Sequence, residues 1–336
     1  MGTFASHTRT YALFAVTFVV LASLSIYFYF EQHQQMDLTS RVFVIGAMRL
    51  TEVDDRTLDG FKDGLEEMGW QIGKDVVVKD NGTAGSIDRL DAMAAAHVAD
   101  GVDLIFVSST PATQAAKRAT AGTGIPVVFS PVNDPVGAGV VENLMRPGGN
   151  VTGIKLPLGD DVRLQWLTKI APKARRVFVP YTVADDSSRL SLSSIRGASV
   201  LLGLELVPYP VESMEHARVV ASEMPSDVDA VFIPRDSAIE AAVDAFVNEA
   251  IRRKIPVSAP SYTQVEAGAL YCYGFIHSEL GKAGAVLAHK ILRGANPATT
   301  PVEMGRSLLS LNLRTAKLIG LDIPDSILRQ AAKVIR

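Results

Sequence analysis

The chain of 336 residues contains one cysteine, Cys272. An intramolecular disulfide is therefore excluded, and so is any paired-cysteine metal or redox centre. Cys272 sits in the apolar run Leu270-Tyr271-Cys272-Tyr273-Gly274-Phe275, where a free thiol behaves as a small buried hydrophobe. Histidine is also scarce. His7, His33, His97, His216, His277 and His289 are scattered, and none stands at metal-ligand spacing from another His or from the cysteine. No metal and no cofactor is expected. There is no GxSxG nucleophile elbow and no P-loop. Gly137-Ala138-Gly139 lacks the third glycine of a dinucleotide fingerprint and does not directly follow a predicted strand. No catalytic residue is singled out, so the chain reads as a non-enzyme. An excess of one charge is missing too. Lys and Arg number 33 against 36 Asp and Glu, a net charge of -3, which implies no basic face for nucleic acid.

What is present begins with an apolar stretch. Residues 11–30 read YALFAVTFVVLASLSIYFYF, without charge, Pro or Gly. About twenty apolar residues suffice to cross a hydrocarbon core. Arg9 precedes the stretch, and Glu31 and Asp37 follow it, which puts the N-terminus in the cytoplasm and the rest outside. Residues 1–36 are thus expected to form one transmembrane helix that holds the protein at the periplasmic face of the inner membrane. The alternative is secretion after signal cleavage. The apolar run continues past Ser23 and Ser25 through Ile26-Tyr27-Phe28-Tyr29-Phe30, which argues for an uncleaved anchor.

From residue 41 onward, short β-branched runs alternate with amphipathic stretches, the α/β pattern of parallel sheets covered by helices. Strands are expected at 41–47, 76–79, 104–108, 127–130, 177–180, 205–207, 230–234 and 270–273. Helices are expected at 54–68, 87–99, 112–120, 190–202, 216–223, 238–253 and 280–292. The two halves echo each other. Arg41-Val42-Phe43-Val44 returns as Arg176-Val177-Phe178-Val179, the segment 102–112 as 228–238, and Ile125-Pro126-Val127 as Ile255-Pro256-Val257. Three matches in the same order point to a duplication and to two Rossmann-like lobes with parallel sheets, as expected for a chain longer than one core organises. The first lobe is placed at 41–155 and the second at 156–305. Gly and Pro in the segment 146–153 suit a hinge. Residues 306–336 are expected to return to the first lobe, with Leu309-Ser310-Leu311-Asn312 as a strand and 314–318 and 326–335 helical.

Ligands of open parallel sheets collect beyond the carboxyl ends of the strands. After the first strand comes Met48. After 104–108 come Ser109 and Thr110, then Pro111, well placed in a helix first turn. Hydroxyls beside helix N–H groups suit an anion. The repeat puts Asp236 where Thr110 stands, so an anion pole facing a carboxylate would fit a zwitterion such as an amino acid. The same residues would also serve as plain helix caps. Asp134, between Asn133 and Pro135, is a ligand acceptor or a turn residue. Tyr181 and Tyr262 end or follow strands and are candidates to stack on an apolar ligand.

Several segments carry a resemblance. Gly64-Leu65 with Gly69-Trp70, Ser109-Thr110-Pro111-Ala112, Asp134-Pro135-Val136-Gly137-Ala138 and Pro147-Gly148-Gly149-Asn150-Val151-Thr152-Gly153 stand in order along the chain, and Asn312-Leu313-Arg314-Thr315-Ala316-Lys317 closes it. The sequence resembles the ABC transporter substrate-binding family of the tryptophan/tyrosine-uptake type from about residue 41 to the C-terminus. The resemblance implies a type I periplasmic-binding clamshell, no catalysis, and delivery of a small solute to an ABC permease. Where that family commonly carries Tyr-Asn-x-x-Glu-x-Asn-Ser, this chain reads Tyr181-Thr182-Val183-Ala184-Asp185-Asp186-Ser187-Ser188, and its Asp-Asn is Asp236-Ser237. Ser188 therefore joins the candidate contacts, and the ligand is left open. The alternative function is a membrane-tethered ligand-sensing subunit of a signalling system.

Overall fold

The computed structural model describes residues 41–156 and 159–336. The chain divides into a short unit, Met1–Phe43, and a large one, Val44–Arg336, which carries both sheets. The membrane segment expected at 11–30 lies outside the described residues. Among those described, no helix is long and apolar enough to cross a membrane.

The strands are β1 (Phe43–Arg49), β2 (Val76–Thr83), β3 (Leu104–Val107), β4 (Val127–Val132), β5 (Val151–Lys155), β6 (Arg176–Thr182), β7 (Glu205–Val211), β8 (Ala230–Phe232), β9 (Val257–Ser261), β10 (Tyr271–Phe275), β11 (Glu303–Met304), β12 (Leu308–Asn312) and β13 (Lys333–Ile335). One sheet has the order β11-β5-β4-β3-β1-β2, the other β13-β12-β10-β9-β8-β6-β7. Within them, β2-β1-β3-β4-β5 and β7-β6-β8-β9-β10 are the same doubly wound arrangement twice. The sequence echo falls on corresponding strands, β1 with β6, β3 with β8 and β4 with β9, but in the first pair the register sets Val44, not Arg41, level with Arg176. The match extends to side chains. Asp103 Oδ2 accepts from the Val44 N–H at 2.8 Å, and Asp229 Oδ2 accepts from the Arg176 N–H at 2.9 Å. In each lobe the residue before the third strand pins the start of the first.

Helices cover both faces of each sheet: α1 (Asp55–Glu67), α2 (Leu90–Ala99), α3 (Thr110–Ala119), α4 (Asp160–Ile170), α5 (Asp186–Leu202), α6 (Met214–Glu223), α7 (Ser237–Glu240), α8 (Val243–Arg253), α9 (Tyr262–Glu266), α10 (His277–Leu292), α11 (Leu313–Ile319) and α12 (Asp325–Leu328). Because the central strands are covered twice, they are apolar without alternation; Leu104–Val107 is buried throughout. On α1, Leu58, Phe61 and Leu65 recur at helical spacing and are buried, and Phe61 stacks on Phe106 of β3 with ring centroids 3.8 Å apart.

Two expectations about the crossings are corrected. The Gly-Pro segment 146–153 is no hinge: its end enters β5, which lies inside the first sheet between β4 and β11. The chain first passes to the second sheet between β5 and α4. The C-terminal return also takes another course. Residues 308–312 pair antiparallel with β10 of the second sheet, Leu311 opposite Tyr271, and β13 adds on beyond them. The element that returns to the first lobe is α10, together with the short strand β11. Glycines make its docking possible: a Cβ on Gly60 would meet the Ser278 carbonyl oxygen at 2.2 Å, and one on Gly281 the Thr57 carbonyl oxygen at 2.0 Å. Backbone therefore touches backbone between α1 and α10. The chain thus passes between lobes three times: between β5 and α4, at Phe275–His277, and between β11 and β12.

Candidate functional site

The strand order reverses between β1 and β3 in one sheet and between β6 and β8 in the other, and the loops beyond these strands line one cleft. Beyond β3, Ser109 precedes α3 at φ 82, a backbone conformation that favours glycine. Its Oγ is buried without a hydrogen-bond partner. The first N–H groups of α3 stand beside it, and such groups have no acceptor within their own helix. Beyond β1, Asp54 is buried and accepts from Ser108 Oγ at 2.8 Å. Beyond β4, Asn133 Nδ2 donates to Ser187 Oγ at 2.8 Å, and Arg235 Nη1 donates to Asn133 Oδ1 at 2.8 Å. Both bonds join one lobe to the other.

The second lobe faces these groups with acids. Asp185 caps α5, accepting from the Ser187 N–H at 2.8 Å. Asp236 caps α7 through the N–H groups of Ala238 and Ile239 and also accepts from the Thr182 N–H at 2.9 Å. Glu240 lies one turn on. Burial pushes the Asp185 carboxyl well above its ordinary range, and neighbouring Asp236 adds to it. Burial does the same to Glu240, reinforced by Asp54 across the cleft and by Asp236. Asp54 is likewise raised by burial, which its hydrogen bonds offset only in part.

Arg235 reaches the cleft from a buried network. Its Nε lies 3.2 Å from Asp160 Oδ1, and Arg163 Nη2 lies 3.0 Å from the same oxygen. Burial alone would raise Asp160, but Arg235 and Arg163 outweigh it and hold the carboxyl below its ordinary range. At the crossing segment, His277 Nδ1 is 2.9 Å from Thr57 Oγ1, while its Nε2 is buried without a partner. Burial, with a lesser contribution from Arg56, lowers the imidazole to about 4, so it is neutral at physiological pH. The central space is small, with about 40 Å³ open to water-sized molecules.

Of the residues chosen from sequence, Ser109, Thr110 and Asp236 line this cleft. Asp236 does so with both oxygens already engaged by backbone N–H groups. Asp134 accepts from the Gly137 N–H at 3.1 Å and lines an adjoining cavity at the rim. The others lie elsewhere. Met48 is wholly buried in the first-lobe core, because both faces of β1 are covered. Ser188 Oγ accepts from the Thr182 N–H at 3.0 Å and stabilises the loop, not the cleft. Tyr181 packs half-buried on the second-lobe core, and Tyr262 opens α9; neither lines the cleft. Asp54, Asp185, Arg235, Glu240 and His277 escaped the sequence reading. Asp54 and Glu240 fall inside predicted helices, where a terminal acid reads as a partner of the helix dipole. One signal was available for Arg235: the repeat aligns it with Ser109.

Two α/β lobes of repeated topology, three crossings and a polar cleft between strand ends define a type I periplasmic-binding fold. The ABC transporter substrate binding protein family matches residues 50–335, and the chain belongs to that family. It is a family of extracytoplasmic binding proteins, in general without catalysis. A tyrosine-binding protein of Clostridioides difficile is 30% identical over 260 residues, 77% of this chain and 75% of that protein. An ABC domain from Streptococcus pneumoniae in complex with L-Trp is 27% identical, with a TM-score of 0.81, covering 88% of this chain and 99% of the other. A ligand-free, open substrate binding protein from Clostridium difficile has the same 27% identity and the same coverage, 88% and 99%, but a TM-score of 0.64. The lobes of this chain thus stand closer to the arrangement of the L-Trp complex, consistent with the small central space.

Proposed function

We propose that this chain captures an amino acid between its lobes and presents it to the permease of an ABC importer. The observation that carries this reading is the polarity of the cleft. Ser109 and the start of α3 offer donors to a carboxylate, while Asp54, Asp185 and Glu240 offer acceptors to an ammonium group. An amino acid brings both. Relatives described as binding tyrosine and L-Trp support the class.

The raised carboxyls have a consequence for pH. An arriving ammonium favours their ionised forms, so binding releases protons, and affinity falls as pH falls through their raised values. Calorimetry of the full-length chain in buffers of different ionisation enthalpy reads this release directly. Asp54→Asn is expected to weaken binding by about tenfold or more, the worth of one charge-assisted hydrogen bond. Unchanged affinity would remove Asp54 from the site, and binding of sugars in place of amino acids would overturn the reading. We further propose that residues 11–30 anchor the lobes to the outer face of the inner membrane. The full chain should then stay in the membrane pellet after alkaline carbonate washing; release into the supernatant would mean cleavage.

A further inference from the structure

The central space of about 40 Å³ has room for about three water-sized groups. The head of an amino acid is three such groups: a carboxylate, an α-carbon and an ammonium. A side chain of any length must leave that space. A second cavity, with about 240 Å³ open to water-sized molecules, adjoins it at the rim, and Thr110 and Ser187 line both. Thr110 follows Ser109, where the carboxylate is seated, and Ser187 stands two residues after Asp185, where the ammonium is seated. The passage to the rim therefore starts between the two poles, where the α-carbon lies. Ser187 Oγ is bonded to Asn133, and among the described residues no hydrogen bond joins Thr110 to Ser187 across the passage.

The rim cavity has fixed walls. Gln114 Nε2 donates to the Ala138 carbonyl at 3.1 Å and to Asp186 Oδ2 at 2.7 Å, so one side chain ties the first-lobe wall to the second-lobe wall. Ala138 and Leu190 make the apolar part of the lining. Asp134 and Arg189 make the polar part that can still serve a guest. Asp134 Oδ1 accepts from the Gly137 N–H, and its Oδ2 accepts from no described residue. Arg189 pairs with Asp186 and donates to the Val183 carbonyl, which leaves further N–H groups of its fork. Asp186 is already engaged by Arg189 and Gln114. No aromatic side chain among the described residues lines this cavity.

We infer that the guest is an amino acid with a long, uncharged, amide-ended side chain, of the glutamine or acylated-lysine class. Its methylene stem runs between Thr110 and Ser187 and along Leu190 and Ala138. Its amide, which both donates and accepts, meets Asp134 and Arg189. A charged end would suit one of these and be repelled by the other, and a ring would find no aromatic wall to stack on. This rests on the amino-acid reading above and adds the side chain of the guest. It also separates this chain from relatives described as binding tyrosine and L-Trp.

The test is calorimetry of the full-length chain with L-alanine, L-glutamine, Nε-acetyl-L-lysine and L-tryptophan. Glutamine or acetyl-lysine is expected to bind about tenfold or more tightly than alanine and tryptophan. Leu190→Trp, at a half-buried position, fills the rim cavity and should take that advantage away while alanine binding stays as it was. Asp134→Ala keeps the cavity open and should weaken the amide-ended ligands several-fold, again without effect on alanine. Alanine bound as tightly as glutamine would overturn the inference and leave the amino-acid reading standing, and so would a preference for tryptophan. If neither variant lowered the affinity of an amide-ended ligand, or if both weakened alanine equally, the rim would have no part in recognition and the inference would fall. Binding of no amino acid would sink both readings.

Discussion

Arg163→Ala is expected to cost about 3–5 kcal/mol of stability, the range for stripping one partner from a buried ion pair. Arg163 is wholly buried. Its Nη1 donates to the Ile233 carbonyl at 2.7 Å, its Nη2 lies 3.0 Å from Asp160, and its guanidinium covers the Phe232 ring at 3.9 Å. Burial alone would lower its basicity, and Asp160 opposes that. Truncation leaves Asp160 buried with one cation instead of two, the Ile233 carbonyl without its donor, and a void against Phe232. Because Arg235 shares Asp160, the damage should reach the cleft: without Arg163 the carboxylate draws Arg235 away from Asn133, and ligand affinity falls as well. Urea unfolding followed at Trp166, buried in the second lobe, reads the stability change in a Trp70→Phe background. A loss below about 1 kcal/mol would show that the second lobe does not depend on this pair.

Gly281→Val should be nearly as severe, at about 3 kcal/mol or more, because the clash is with backbone. The added Cβ would lie 2.0 Å from the Thr57 carbonyl oxygen and 2.6 Å from the Phe61 nitrogen. Neither can rotate away, so α10 must lift from α1. Trp70 reports the event, since its Nε1 donates to His289 Nδ1 on α10 at 2.9 Å. Loss of that bond should change its emission before global unfolding. Gly197→Ala on α5 is the control: nothing lies within 4 Å of its added Cβ. Removing a helical glycine there should stabilise by up to about 1 kcal/mol. If Gly281→Val behaved like Gly197→Ala, the tight seam between α1 and α10 would not hold the returning helix in place.

The repeat was legible because it is local. Each copy carries its own apolar strand and its own Asp before the third strand, and Asp103 and Asp229 make the same hydrogen bond in both lobes. Ser109, Thr110 and Asp236 were legible because strand ends in parallel sheets point to ligands. Connections were less so. The helix expected at 238–253 breaks after Glu240, where Ala242 leaves helical geometry at φ -103 and α8 starts afresh. The helix expected at 326–335 ends at Leu328, and Lys333–Ile335 becomes a strand against the free edge of β12. Edge pairing of this kind depends on a distant partner, which a window of sequence does not contain.

By itself the sequence determined two α/β lobes, their duplication, the absence of paired-cysteine chemistry and the loops from which a site would be built, because periodicity and strand-end chemistry are properties of short segments. Only the tertiary structure decided which lobe takes α10 and which takes β12, and only it brought Asp54 against Glu240 and Arg235 against Asn133. Those pairs join residues far apart in the chain, and their charges acquire raised or lowered proton affinities only when closure removes water from between the lobes.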